Sequence, residues 1–245
     1  MAPRKKPASR IDAFDLVPGR IITRKYEVIA KLGAGWEGEV YLIRERNTGI
    51  ARAAKLFFPH RNIRNRTSTF YARKLHTLRH CPVVIQYHTE ETITVRSTPV
   101  MVLISEYVEG EILRAFLEQQ PGKRLRPFQA LHLLHALAVG VECIHQHRDY
   151  HGDLHSGNII VQRFGLGFDL KLMDMFQWAS PKAWNRQDDI CDLVRLLYDA
   201  LGGARHYPNQ PEAIKAICRG LKRSLILDRF PTMSHLRSHL ETMEW

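Results

Sequence analysis

Tyr150-His151-Gly152-Asp153-Leu154-His155-Ser156-Gly157-Asn158-Ile159-Ile160 is the stretch on which the fold turns. It is a polar, glycine-containing run between two segments of different periodicity. Upstream, Pro127 to His147 carries apolar residues at helical spacing. Downstream, Asn158-Ile-Ile-Val and Asp169-Leu-Lys-Leu-Met flank a Phe-Gly-Leu-Gly turn and predict a hairpin. That hairpin closes on Leu172-Met173-Asp174-Met175-Phe176, so the stretch offers Asp153 and Asn158, and a second aspartate follows at the hairpin's end.

Working outward, the two halves of the chain differ. Tyr26 to Leu32, Glu39 to Ile43 and Ile50 to Phe58 predict three short strands joined by glycine-containing turns, an antiparallel meander. A helix is expected over Thr67 to Arg79, then strands over Val83 to His88 and Val100 to Glu106, which makes a five-stranded sheet with one helix. Beyond Glu106 helical periodicity dominates: Ile112 to Glu118, Pro127 to His147, Asp188 to Leu201, Glu212 to Leu225 and Met233 to Glu241. A sheet lobe followed by a helical lobe is an α+β arrangement. Residues 1–20 are polar, basic and proline-containing and are expected to be a flexible leader.

Within the meander, Gly33-Ala34-Gly35-Trp36-Glu37-Gly38-Glu39-Val40 fits G-x-G-x-x-G-x-V. Glycines without a Cβ let backbone amides approach phosphate oxygens closely. The same glycine spacing opens a dinucleotide-binding turn, but there a helix must follow, and here a strand follows. Ala53 and Lys55 lie on the next strand.

These motifs, in this order, resemble those of the protein-kinase superfamily from about Tyr26 to the C-terminus. The resemblance implies a two-lobed kinase-like domain over 21–245, with an N-lobe at 21–107, a hinge at 105–111 and a C-lobe at 112–245. It implies ATP and Mg²⁺ as cofactors and roles for individual residues. Asp153 would orient the attacking hydroxyl and accept its proton; Asn158 and Asp174 would hold Mg²⁺; Lys55 and the amides of Gly33, Gly35 and Gly38 would fix the phosphates. Leu32, Val40, Ala53 and Ile160 would enclose the adenine, and Glu106 and Val108 would offer it backbone groups. His155 stands where many protein kinases have a lysine, free either to touch the γ-phosphate or to make a structural hydrogen bond. Asp189-Ile190-Cys191-Asp192 resembles the start of the buried helix whose leading aspartate holds the catalytic loop, and Arg229-Phe-Pro-Thr resembles a motif near the family's last helix.

The pattern also departs from the family. His-Gly-Asp replaces His-Arg-Asp, a form similar to aminoglycoside and choline phosphotransferases. The segment from Asp174 to Asp189 is short and lacks Ala-Pro-Glu, and Tyr71 or Ala72 stands where a helix glutamate should pair with Lys55. The preferred expectation is an atypical serine/threonine kinase acting on a protein substrate, on the strength of the hinge, the glycine loop and the C-terminal motif. A phosphotransferase acting on a small-molecule alcohol and a nucleotide-binding pseudokinase scaffold are the alternatives.

Composition narrows the setting. With 44% hydrophobic and 25% charged residues the chain is expected to fold as a soluble globule. A net charge of +11, part of it in Arg4, Lys5, Lys6 and Arg10, would attract an anionic partner to the basic tail. No uninterrupted apolar run of spanning length occurs, and the cytoplasm is the expected compartment. The four cysteines, Cys81, Cys143, Cys191 and Cys218, are far apart in sequence and are expected to be reduced and mostly buried.

Overall fold

A computed structural model describes residues 10–165, 167–178 and 180–244. It comprises two compact units, Met1–Arg79 with Ile85–Val108, and His80–Val84 with Glu109–Trp245. The first is a sheet with one α-helix and the second is mainly helical, the α+β class expected.

The sheet unit contains β1 (Ile21–Ile22), β2 (Tyr26–Ala34), β3 (Gly38–Glu45), β4 (Ala51–Phe57), β5 (Tyr87–Val95) and β6 (Thr98–Glu106), with helix α1 (Arg66–Thr77) between β4 and β5. The order is β1-β2-β3-β4-β6-β5, every pair antiparallel. The sheet thus has six strands where five were expected, because the two-residue β1 extends the edge. A second correction concerns Val83 to His88. Val83 and Val84 belong to the helical unit, and the strand starts only at Tyr87. Its polar residues, Thr89, Glu90, Glu91, Thr92 and Thr94, suit an outer strand of the sheet and hide it from a search for apolar runs.

One face of this sheet is dry. Val28, Tyr41, Ile43, Ala54, Leu56, Val102 and Ile104 form it, and Ile11, Phe14 and Leu16 cover it. The leader expected to be flexible through residue 20 is therefore packed from Ile11 onward, while residues 1–9, with most of the basic tail, lie outside the described residues. The physical reason is a mixed anchor. Phe14 stacks on Phe58 at 5.2 Å, and the buried Glu39 accepts hydrogen bonds from the Phe14 amide, Lys31 and the Tyr41 hydroxyl. Tyr41 in turn accepts the Leu16 amide. Burial pushes the Glu39 carboxyl up, but these donors outweigh it and hold the group below its ordinary range.

The helical unit contains α2 (Leu113–Gln119), α3 (Pro127–Gln146), α4 (Lys182–Ala200), α5 (Glu212–Cys218), α6 (Arg223–Arg229) and α7 (Met233–Thr242), with a three-stranded sheet β7 (Glu111–Ile112), β8 (Ile159–Phe164) and β9 (Gly167–Leu172). By length and composition α3 could cross a membrane, but it packs against α4, α7 and β9, burying Leu133, Leu134, Leu137 and Val141 completely. Helix α4 begins six residues before the expected Asp188, at Lys182. The helix expected over Glu212 to Leu225 is two, broken where Arg219, Gly220 and Leu221 all take positive φ. The cysteine expectation is corrected as well: Cys81 and Cys143 form a disulfide, leaving Cys191 and Cys218 free.

Because Phe14 is buried against Phe58, Phe14→Ala should destabilise the sheet unit by about 3 kcal/mol, the usual scale for an aromatic deletion in a core. Denaturant unfolding checks this; an unchanged midpoint would mean that residues 11–16 do not cover the sheet.

Candidate active site

In the sheet unit, strand alternation decides which residues are available for a ligand. Ala54 and Leu56 point into the dry face, so Ala53 and Lys55 point to the other. Directly opposed residues of an antiparallel pair share a face, and Lys55 is opposite Val40 on β3 and Leu103 on β6, while Ala53 is opposite Leu42 and Ser105. Val40, Ala53 and Lys55 are therefore brought to one side of the sheet. Leu32 is exposed on β2, and Glu106, at the end of β6, is tied to Gln86 through both its amide and its carboxylate. Val108 is half-buried just beyond it.

The glycines have separable roles. A Cβ on Gly38 would collide with the Leu56 carbonyl oxygen, so Gly38 is needed for β3 to lie against β4. Around Gly33 and Gly35 a Cβ would meet nothing within 4 Å, which leaves the space over them open. The turn is closed by Gly35 N–H donating to the Gly38 carbonyl at 2.8 Å, and Trp36 lies against the Arg61 guanidinium at 4.0 Å.

Lys55 has an acid partner that sequence reasoning did not find. Its Nζ is 2.8 Å from a carboxylate oxygen of Glu37, the acid inside the glycine loop. Tyr71, at the helix position where a glutamate was sought, presents its ring 4.8 Å from the same ammonium, a cation–π contact. The prior signal for Glu37 is its place within the glycine turn between β2 and β3.

In the helical unit the site is built around Asp189. This fully buried carboxylate accepts the His151 and Gly152 amides, both at 2.8 Å, and pairs with His145 Nε2 at 3.0 Å. The expected leading aspartate is thus in place, and His145 is a partner not foreseen. His151, also fully buried, contacts the Met173 carbonyl through Nε2 at 3.0 Å and takes the Asp153 amide on Nδ1 at 3.2 Å, which fixes the neutral tautomer with the proton on Nε2. Gly152 has φ +84°, and a Cβ there would press on the Tyr150 ring at 2.8 Å and the Phe176 carbonyl at 3.0 Å. Glycine is the residue this turn accepts.

Asp153 is presented half-exposed. Asn158 Nδ2 donates to its carboxylate and to its carbonyl, both at 2.9 Å, and His155 Nε2 stands 3.6 Å from the carboxylate. His155 Nδ1 accepts the Gly157 amide at 3.0 Å, so its other nitrogen carries the proton facing Asp153. Asp174 adopts φ +56° just beyond β9, and Met173 N–H donates to the Asn158 carbonyl at 3.0 Å, which brings the Asn158 and Asp174 backbones alongside each other. With Asn158 Nδ2 engaged by Asp153, its Oδ1 is the atom left for a cation. An amide oxygen and a carboxylate are the hard donors Mg²⁺ takes. Ile160 is half-buried on β8, opposite Ile112.

Charge density is high behind the loop. Burial, then the carboxylates of Asp189, Asp188 and Asp153, push Asp192 up to about 7. An acid with a raised folded pKa stabilises fully below its unfolded value of 3.8 and loses that contribution as pH rises through about 7.

Residues 26–207 match the protein kinase domain. The chain belongs to the protein kinase family. It is 28% identical over 229 residues to mouse cyclin-dependent kinase 15, covering 88% of this chain and 48% of that protein. It is 26% identical over 220 residues to human serine/threonine-protein kinase Nek11 (86% and 30%) and 29% identical over 157 residues to serine/threonine-protein kinase pkn2 of Myxococcus xanthus (63% and 18%). The chain therefore spans half or less of the length of these relatives. Among solved structures, the PknI kinase domain of Mycobacterium tuberculosis superposes with a TM-score of 0.68 at 17% identity, covering 92% of this chain and 97% of that one, a likeness of fold. Within this protein kinase domain the segment after Asp174 is even shorter than expected, since α4 already begins at Lys182.

The glycine geometry gives a direct test. Gly38→Ala should lower stability by about 2 kcal/mol, as overpacking does, whereas Gly33→Ala and Gly35→Ala should leave the unfolding midpoint nearly unchanged. Thermal unfolding of the three variants checks this; equal losses would show that the loop glycines are all structural.

Proposed function

We propose that this kinase domain transfers the γ-phosphate of ATP, with Mg²⁺, to a serine or threonine hydroxyl of a protein. The observation that carries the reading is the Asp153 carboxylate, half-exposed and oriented by Asn158, on a loop pinned by the buried Asp189. A degenerate binding module needs no such positioning. The kinship with kinases named for serine/threonine proteins supports a protein acceptor over a small alcohol.

Phosphoryl transfer calls for placement and charge neutralisation more than covalent chemistry. Asp153 would align the acceptor hydroxyl and take its proton, and His155 would steady the Asp153 carboxylate from its other side. Asn158 Oδ1 and Asp174 would hold Mg²⁺, which when bound supplies positive charge to the phosphate oxygens. Lys55, steadied by Glu37 and Tyr71, would hold phosphate oxygens in the open space over Gly33 and Gly35. Leu32, Val40, Ala53 and Ile160 would contact the adenine, and the backbones of Glu106 and Val108 would recognise its edge. Glycine at position 152 removes the arginine that commonly docks a phosphorylated loop, and the segment after Asp174 is short, so we infer activity without loop phosphorylation.

Asp153→Asn keeps shape and spares the cation donors, so ATP affinity should stay near wild type while turnover falls by about 10²- to 10⁴-fold, the range for losing a general base. Asp174→Ala should weaken Mg²⁺-dependent ATP binding as well as turnover. Calorimetric titration of ATP with and without Mg²⁺, alongside labelled transfer to protein, distinguishes them. The assignment fails if Asp153→Asn loses metal-dependent binding while Asp174→Ala keeps it, and the enzyme reading fails if neither alters the rate.

A further inference from the structure

Cys81 and Cys143 lie 62 residues apart in sequence, yet the fold brings them together outside the site described above. Cys81 is fully buried on the segment His80–Val84, and Cys143 is half-buried on the last turn of α3. The exposed His147, which follows α3, has Nδ1 3.6 Å from Cys81 Sγ and 2.8 Å from the Cys143 carbonyl oxygen. Cys143 is thus the less buried of the two cysteines, Cys81 is enclosed, and an imidazole stands beside the pair.

What the bond ties together gives it consequence. On the Cys81 side, the Val83 carbonyl accepts the Leu172 amide at 2.6 Å and Val84 bridges to Leu172, two residues before Asp174. The same segment presses on α3, where a Cβ on Gly140 would meet Val83 at 2.7 Å. On the Cys143 side, two residues further along α3, His145 holds Asp189, which holds the His151 and Gly152 amides next to Asp153. The disulfide joins the support of the strand leading to Asp174 to the helix leading to Asp153.

We propose that Cys81 and Cys143 are a reversible thiol–disulfide site that exchanges with small-molecule disulfides, and that oxidation stiffens both limbs of the candidate active site. In the reduced protein the Cys143 thiolate attacks one sulfur of a disulfide RSSR; the S–S bond breaks, RS⁻ leaves, and a Cys143 mixed disulfide forms. The Cys81 thiolate then attacks Cys143 Sγ and expels the second RS⁻. Two protein thiols are oxidised, RSSR is reduced to two thiols, and the two protons from the cysteines end on the two leaving groups. The free Cys191 and Cys218 take no part: burial pushes their thiols up to about 11 and about 12, which keeps them protonated.

The test uses the full chain equilibrated across ratios of oxidised to reduced glutathione, trapped by alkylation and read by peptide mass spectrometry. A Cys81–Cys143 linked peptide should form and disappear reversibly with the ratio, while Cys191 and Cys218 remain alkylatable after denaturation. Hydrogen exchange at the Leu172 and Gly152 amides should be about tenfold slower in the oxidised form, a change within reach of closing a long loop. Cys143→Ser should abolish the difference, and Cys81→Ala serves should that variant not fold. A pair that stays reduced at every ratio, a bond that yields only after unfolding, or equal exchange in both forms would overturn the proposal. So would a reduced pair that alkylates only after a chelator strips Zn²⁺, which would make these side chains a metal site.

Discussion

The Asp189 carboxylate is the interaction on which the geometry of the proposed site in the helical unit depends. A fully buried charge is tolerable only when its oxygens are satisfied, and here two backbone amides and an imidazole satisfy them. Those amides belong to His151 and Gly152, so the requirement of one buried group fixes the backbone immediately before Asp153. His151 carries the constraint onward: one ring nitrogen receives the Asp153 amide and the other meets the carbonyl of Met173, next to Asp174. The two aspartates are thereby referred to a single anchor through hydrogen bonds of fixed direction. Gly152 follows from the same geometry, because the turn has no room for a side chain.

The sheet unit reaches a comparable end by different means. Its dry face is closed by Ile11, Phe14 and Leu16, held through the buried Glu39, which leaves the opposite face to present Val40, Ala53 and Lys55. Lys55 needs an opposing charge. With Tyr71 on the helix, that charge comes from Glu37 in the glycine loop, so the loop's closure and the lysine's placement are linked here.

Much of this was legible in the sequence. The hairpin with its flanking aspartates, the glycine turn followed by a strand, and the long periodicity of α3 are local patterns, and local patterns survive in one dimension. What escaped notice depends on contacts distant in the chain. Glu37 pairs with Lys55, 18 residues on, and Cys81 meets Cys143 only because the segment after α1 folds onto α3. The packing of residues 11–16 was masked by the polar, basic composition around them, although Ile11, Phe14 and Leu16 are the apolar residues that do the covering. Strand β5 escaped for the opposite reason: as an outer strand it has little apolar pattern to show.

Asp189 holds the loop on which the proposed role of Asp153 rests, so the rate of γ-phosphate transfer by an Asp189→Asn variant, measured where it remains folded, is the decisive test. Asparagine keeps the size but replaces one acceptor oxygen with a donor facing backbone N–H groups. Transfer should fall by about 10²-fold or more, the scale of misplacing a catalytic group by about an ångström. Turnover at the wild-type rate would contradict it.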